Sequence, residues 1–223
     1  MKKLINPRFN LKKTPMALVV IIVTVVISFL FYRQNIFLKN AQSINKPTGN
    51  VVAYFAGGCF WSAESALEKL DGVTDAVSGY MGGDEINPSY EDVSSGRTGH
   101  RETVKVIYDN KKVSYEKLTE YFLKNIDPTD PEGSFFDRGF HYTSAIYYLT
   151  TDEKAIASRV ITKLDQTKKL SKPIVTKIEP AKVFYMAEEY HQDYAKNNPV
   201  QYGLYRSASG RNEFFSRTWG NTH

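Results

Sequence analysis

Cys59 is the only cysteine among the 223 residues of this chain, and it stands where an apolar run breaks at Gly57-Gly58 and a helical pattern begins. With one thiol the chain has no internal disulfide, so the fold has to be held by a buried core. A cysteine-rich zinc site is excluded too, because further ligands would have to come from four scattered histidines and carboxylates. The chain is long enough for one or two domains, and the part after the N-terminus fits one with a full core. The net charge of +5 is gathered largely near the start, at Lys2, Lys3, Arg8, Lys12 and Lys13. Lys111-Lys112 and Lys168-Lys169 are short pairs of a solvated face, not a nucleic-acid stripe.

Val51 to Ala56 is short, apolar and rich in β-branched and aromatic residues, the pattern of a buried strand. Ala63, Ala66, Leu67 and Leu70 then recur at helical spacing, and Asp71-Gly72 supplies a stop. Two glycines at the joint permit a sharp turn and close approach of a ligand. Cys59 would face the unpaired N–H groups and positive dipole end of the helix, which favour a thiolate. A free cysteine in such a place is otherwise a small buried hydrophobe.

Downstream, the pattern predicts strands over Val73–Tyr80, Glu102–Tyr108, Tyr142–Leu149 and Val175–Ile178. It predicts helices capped by Ser114 and Thr151. The glycine-punctuated stretch between the second and third strands reads as a functional loop. Such alternation fits an α/β or α+β sandwich. Period-2 alternation puts Glu102 on one face with Val104, Val106 and Tyr108, a carboxylate at the loop end of an apolar face. Buried, it would hold its proton near neutral pH as a general acid must; at a strand end it could equally point into solvent.

The N-terminus reads separately. Residues 1–15 form a basic segment and 16–32 an apolar run of 17 residues, near the lower limit for a membrane-crossing helix. Residues 33–49 read as a polar tether, and residues 50–223 as the catalytic domain with its tail. The positive-inside rule then places the domain on the extracytoplasmic side of a membrane. A cleaved signal peptide with a secreted product is the competing reading.

Several blocks in order carry a resemblance. They are Gly57-Gly58-Cys59-Phe60-Trp61, Asn87-Pro88-Ser89-Tyr90, Gly96 to Glu102, Tyr108-Asp109, Asp137-Arg138-Gly139, Tyr142 to Tyr147 and Ala187 to Tyr194. Together they resemble the A-type peptide methionine sulfoxide reductases from about Val51 to Tyr194. The resemblance implies an α+β, two-layer sandwich with a ferredoxin-like core and a central mixed sheet flanked by helices. With the N-terminal reading, one transmembrane helix would precede it. It also implies reduction of the S epimer of methionine sulfoxide, free or in proteins, with no metal or organic cofactor bound.

By the same resemblance Cys59 matches the nucleophile, Glu102 the acid that protonates the sulfoxide oxygen, and Tyr90 and Tyr142 hydroxyl donors to that oxygen. Phe60 and Trp61 match the pocket for the substrate methyl group. Asp137 matches a site aspartate that holds the substrate backbone or serves thiol regeneration, and His191 lies in a supporting motif. The chain departs from many relatives in having no cysteine in residues 195–223. That tail is similar to the A module of A–B fusion reductases, and Phe136, His141 and Thr143 also depart from frequent patterns. The expected partners are therefore methionine sulfoxide in peptides and an external thiol reductant: thioredoxin-like, glutaredoxin-like or of low molecular weight. Taken singly, the residues also fit a thiol peroxidase or hydrolase using His100 or His191 as base. A membrane-tethered binding module anchored by Trp61 and the tyrosines fits them as well.

Overall fold

The structure, a computed structural model, describes Ser28 and residues 50–220. Strand β1 (Asn50–Ala56) alternates its side chains to two covered faces. Ala53 and Phe55 enter the main core, while Tyr54 and Ala56 enter a smaller cluster on the other side. Strands β2 (Val73–Met81) and β3 (Arg101–Asp109) are each longer than the sequence pattern marks. The hairpin β4 (Gly133–Ser134) and β5 (Asp137–Arg138) stands apart as a two-stranded sheet. With β6 (Ala145–Tyr148), β7 (Lys177–Pro180) and β8 (Tyr185–Met186), the main sheet has six strands in the order β7-β6-β1-β3-β2-β8. Its pairings are antiparallel except β6 with β7, so the sheet is mixed.

Helices α1 (Phe60–Leu67), α3 (Tyr115–Lys124) and α4 (Thr151–Gln166) cover the main-core face of this sheet. Phe60, Ala63 and Leu67 of α1 pack there, together with Leu118, Phe122 and Leu123 of α3 and Ala157, Val160 and Leu164 of α4. These meet Val104, Val106 and Tyr108 of β3. The other face carries the smaller cluster of Tyr54, Ala56, Met81, Ala145 and Tyr147, with Ala181 and Phe184 packed against it. Mixed sheet and flanking helices make an α+β fold.

Local differences from the sequence pattern have local causes. The loop after β2 contains a short helix, α2 (Tyr90–Ser94), started by a capping box in which Ser89 and Asp92 exchange side-chain-to-backbone bonds. Thr150, not Thr151, caps α4, again through a capping box, with Glu153. The tail folds as α5 (Tyr194–Asn197), α6 (Pro199–Ala208) and α7 (Arg211–Trp219), with Pro199 pre-set for a helix start.

The transmembrane helix expected ahead of this domain needs correction. No helix among the described residues is long and apolar enough to cross a membrane. The expected basic segment 1–15, apolar run 16–32 and tether 33–49 lie outside the described residues, Ser28 apart. The fold described is the α+β domain without a membrane helix.

Candidate active site

Gly57 and Gly58 are fixed by their surroundings. A Cβ on Gly57 would lie 2.9 Å from both Ile126 and Phe122 side chains. Gly58 adopts φ 72°, and a Cβ there would lie 2.9 Å from Arg211 Nη2 and from Ser134 Cβ. Its N–H donates to the Tyr142 carbonyl at 2.9 Å, which ties the turn before Cys59 to the 3₁₀ turn Phe140–Tyr142. Cys59 is the N-cap of α1: its carbonyl accepts from the N–H groups of Ser62 and Ala63, at 3.0 and 3.4 Å.

Glu102 enters the same space from β3, on the face of Val104, Val106 and Tyr108, and is only 2% exposed. Its Oε2 accepts from the Phe60 N–H at 2.9 Å, at the first turn of α1. Tyr80, its partner across β2, lies beside it and donates its hydroxyl to Glu188 at 2.7 Å. Glu188 also accepts from the Tyr90 N–H at 2.8 Å and thereby sets the start of α2. The Tyr142 side chain neighbours that of Tyr90.

The aromatic wall is continuous. The buried Phe60 ring lies 4.9 Å from the His191 ring, and the Tyr90 ring 4.4 Å from it on another side. Trp61 Nε1 donates to His191 Nδ1 at 3.1 Å, while the indole stacks on Tyr194 at 3.7 Å. An accepting Nδ1 leaves the proton of neutral His191 on Nε2. That atom is buried with no hydrogen-bond partner among the described residues.

Burial pushes the Glu102 carboxyl up to about 8, and Asp137 adds to it, against the Phe60 N–H that lowers it. The group therefore holds its proton at neutral pH. Burial likewise pushes the Cys59 thiol well up, helped by Glu102 and Asp137 and opposed by Arg211 and the Trp61 N–H. This direction is opposite to the thiolate expected from the helix N-terminus, and burial is its largest cause. Burial also raises Tyr90, to about 12, and Tyr142 further, so both remain donors.

Asp137 stands at the hairpin strand β5 and is held from the tail. Tyr205 on α6 donates to its Oδ2 at 2.6 Å, and Arg211 Nη2 on α7 donates to the same oxygen at 3.1 Å. All seven site residues expected from the sequence take defined places around the β1–α1 joint. Motif reading assigned no role to Tyr205, Arg211, Glu188 or Arg101. Arg101 is buried beside Glu102, with Nε on Thr143 Oγ1 at 2.8 Å and its guanidinium 4.6 Å from the Phe140 ring, which braces the turn carrying Tyr142. Its burial comes from the fold and is not marked by any local sequence pattern. His100 does not act as a free base here: its ring faces Gly83 N–H and the Glu85 carbonyl, at 3.3 and 2.9 Å.

Residues 51–223 match the family model described as peptide methionine sulfoxide reductase. The MsrA/MsrB reductase of Vibrio cholerae is 48% identical over 174 residues, which is 77% of this chain and 46% of that protein. This chain thus spans about half the length of that fusion. MsrA of Halalkalibacterium halodurans is 46% identical over 168 residues, 75% of this chain and 96% of that one. Among solved structures, reduced Mxr1 from Saccharomyces cerevisiae superposes with a TM-score of 0.64 at 32% identity, covering 70% of this chain and 89% of that one. Methionine sulfoxide reductase A of Corynebacterium diphtheriae gives 0.60 at 31%, covering 70% and 78%. Fold and these similarities define an oxidoreductase. The chain belongs to the peptide methionine sulfoxide reductase family, of the A type, and reduces methionine sulfoxide.

Proposed function

We propose that Cys59 is the nucleophile in reduction of the S epimer of methionine sulfoxide, and that Glu102 is the acid for the departing oxygen. The observation that carries this is a buried carboxyl, pushed up to about 8 by that burial and hydrogen-bonded to the N–H of Phe60, the residue after the thiol. As the Cys59 sulfur adds to the sulfoxide sulfur, negative charge gathers on the oxygen. Glu102 gives that oxygen its proton while the Tyr90 and Tyr142 hydroxyls donate to it. The oxygen passes to Cys59 as sulfenic acid, two electrons pass from the Cys59 sulfur to the substrate sulfur, the proton that the Cys59 thiol loses replaces the one Glu102 gave, and the thioether leaves. Phe60 and Trp61 form the apolar seat for the substrate methyl group. Asp137, anchored by Tyr205 and Arg211, borders the seat where the peptide lies.

Regeneration requires thiols from outside this chain. One external thiol condenses with the sulfenic acid, forming a mixed disulfide and water. A second displaces Cys59 as thiol and leaves an oxidised donor. A thioredoxin-like dithiol, a glutaredoxin-like donor or a low-molecular-weight thiol each supplies this chemistry. The test is a thiol-dependent assay on separate S and R epimers of a methionine sulfoxide peptide, with Cys59→Ser as control. Turnover of S alone, abolished by the serine, is expected; turnover of R alone or an active serine variant would refute the reading.

A further inference from the structure

Arg211 is a fully buried side chain, 1% exposed, in a tail helix more than a hundred residues from Cys59. Its donors are used unevenly. Nη1 donates to the Tyr205 hydroxyl at 2.8 Å and Nη2 to Asp137 at 3.1 Å, while Nε is buried without a partner among the described residues. The guanidinium lies 4.8 Å from the Phe135 ring. Phe135 holds φ 61°, a conformation that bulky side chains rarely adopt, and is wedged edge-on by Phe214 and Phe215 at 5.3 and 5.8 Å. On its other side Nη2 reaches the backbone before Cys59, where it would lie 2.9 Å from any Cβ on Gly58. Stability gives little reason to keep such a cation, because well-packed apolar residues often replace a buried ion pair at no loss.

We propose that Arg211 is a positioning residue for the charge on Cys59: a buried cation, set behind Gly58-Cys59 by the tail, that holds the sulfur's negative charge as thiolate before attack and as sulfenate after it. The inference deepens the reading of Cys59 as nucleophile and rests on it. The groups that interact electrostatically with the thiol are Glu102 from β3, Asp137 from β5, Tyr90 from α2, Tyr142 from the 3₁₀ turn, Tyr205 from α6 and Arg211 from α7. Of these groups Arg211 alone carries a positive charge. Asp137 fixes it in place and at the same time opposes its action on the sulfur, so the pair sets how readily the thiol ionises.

The test reads the thiol without any sulfoxide, in the full chain, as the pH dependence of Cys59 alkylation by iodoacetamide. Asp137→Asn should lower the alkylation midpoint. Adding Arg211→Met to Asp137→Asn should raise it again by about one pH unit, roughly a tenfold loss of thiolate at neutral pH. Adding Arg211→Lys instead should restore most of that loss. The paired background avoids a buried unpaired carboxylate, and a melting curve for each variant certifies folding. Equal midpoints for Asp137→Asn with and without Arg211→Met would overturn the proposal, as would a rise that lysine does not reverse. Should the double variant carrying Arg211→Met fail to fold, the lysine variant decides alone: a midpoint more than about two pH units above Asp137→Asn refutes a charge role. Failure of the wild-type chain to turn over the S epimer would instead strike at the nucleophile reading and leave the alkylation result standing.

Discussion

Replacing Glu102 by glutamine keeps the shape of the side chain and an oxygen to accept the Phe60 N–H, but removes the titrating proton. The magnitude follows from the burial. The carboxyl moves from an ordinary 4.5 to about 8 in the folded chain, and 8 minus 4.5 is about 3.5 pH units. At about 1.4 kcal/mol per unit, this approaches ~5 kcal/mol as an upper figure. The sign is fixed by proton counts. Between these values the folded state holds more protons than the unfolded one, so stability falls as pH rises. It is undiminished below about 4.5 and the loss is complete above about 8. Glu64, buried and raised to about 7, contributes a similar fall, so only the difference between wild type and Glu102→Gln isolates Glu102.

Urea unfolding of both proteins at intervals from pH 5 to 9 measures that difference. The glutamine variant should gain on wild type by several kcal/mol across the range, while single-turnover formation of sulfenic acid slows roughly 10²–10⁴-fold. The wild-type reductive rate should also lose its acid above about pH 8, a limb absent from the residual rate of the variant. A stability difference that stays flat with pH would mean that Glu102 is solvated, and an unaltered reductive rate would remove it from the proton path.

Without an added thiol, this one-cysteine chain should release about one thioether per Cys59 and stop; sustained turnover in thiol-free buffer contradicts the cycle. Gly58→Ala should destabilise by roughly 1–3 kcal/mol in urea, because φ 72° and the 2.9 Å approach of Arg211 and Ser134 leave no place for a methyl group; a neutral change would show that the turn relaxes freely. Trp61→Phe strips the donor from His191 Nδ1 and should cost roughly 1–2 kcal/mol and raise KM for peptide substrates. An unchanged KM with unchanged stability would exclude Trp61 from the seat.

What could be read in the sequence was local. Two glycines between an apolar run and a helical pattern mark the β1–α1 joint, and strand alternation puts Glu102 on one face with Val104 and Val106, while its burial comes from the fold. Tyr90 and Tyr142 came through resemblance, since neither periodicity nor composition selects two among fifteen tyrosines. Tyr142 was expected on a strand; it lies in a 3₁₀ turn because Gly139, at φ 123°, redirects the chain and β6 begins only at Ala145. The Ser89-to-Asp92 capping box was legible but hidden inside a glycine-rich stretch. Arg211, Tyr205 and Glu188 act across separations of tens to more than a hundred residues, which no local pattern reports.

The thiol shows why residue type and spacing do not settle chemistry. Desolvation favours the uncharged form of both Cys59 and Glu102, yet the two groups need opposite outcomes. A protonated Glu102 is ready to act, whereas a protonated Cys59 is not. A helix N-terminus supplies only partial charge, while burial is the largest cause that pushes this thiol up. The remaining lever is a full positive charge brought from outside the β1–α1 joint. The tail delivers it at Arg211, and the strained Phe135 and the bare backbone of Gly58 make the room. The tail of this one-cysteine chain, although it brings no second thiol, therefore still bears on the first one through charge.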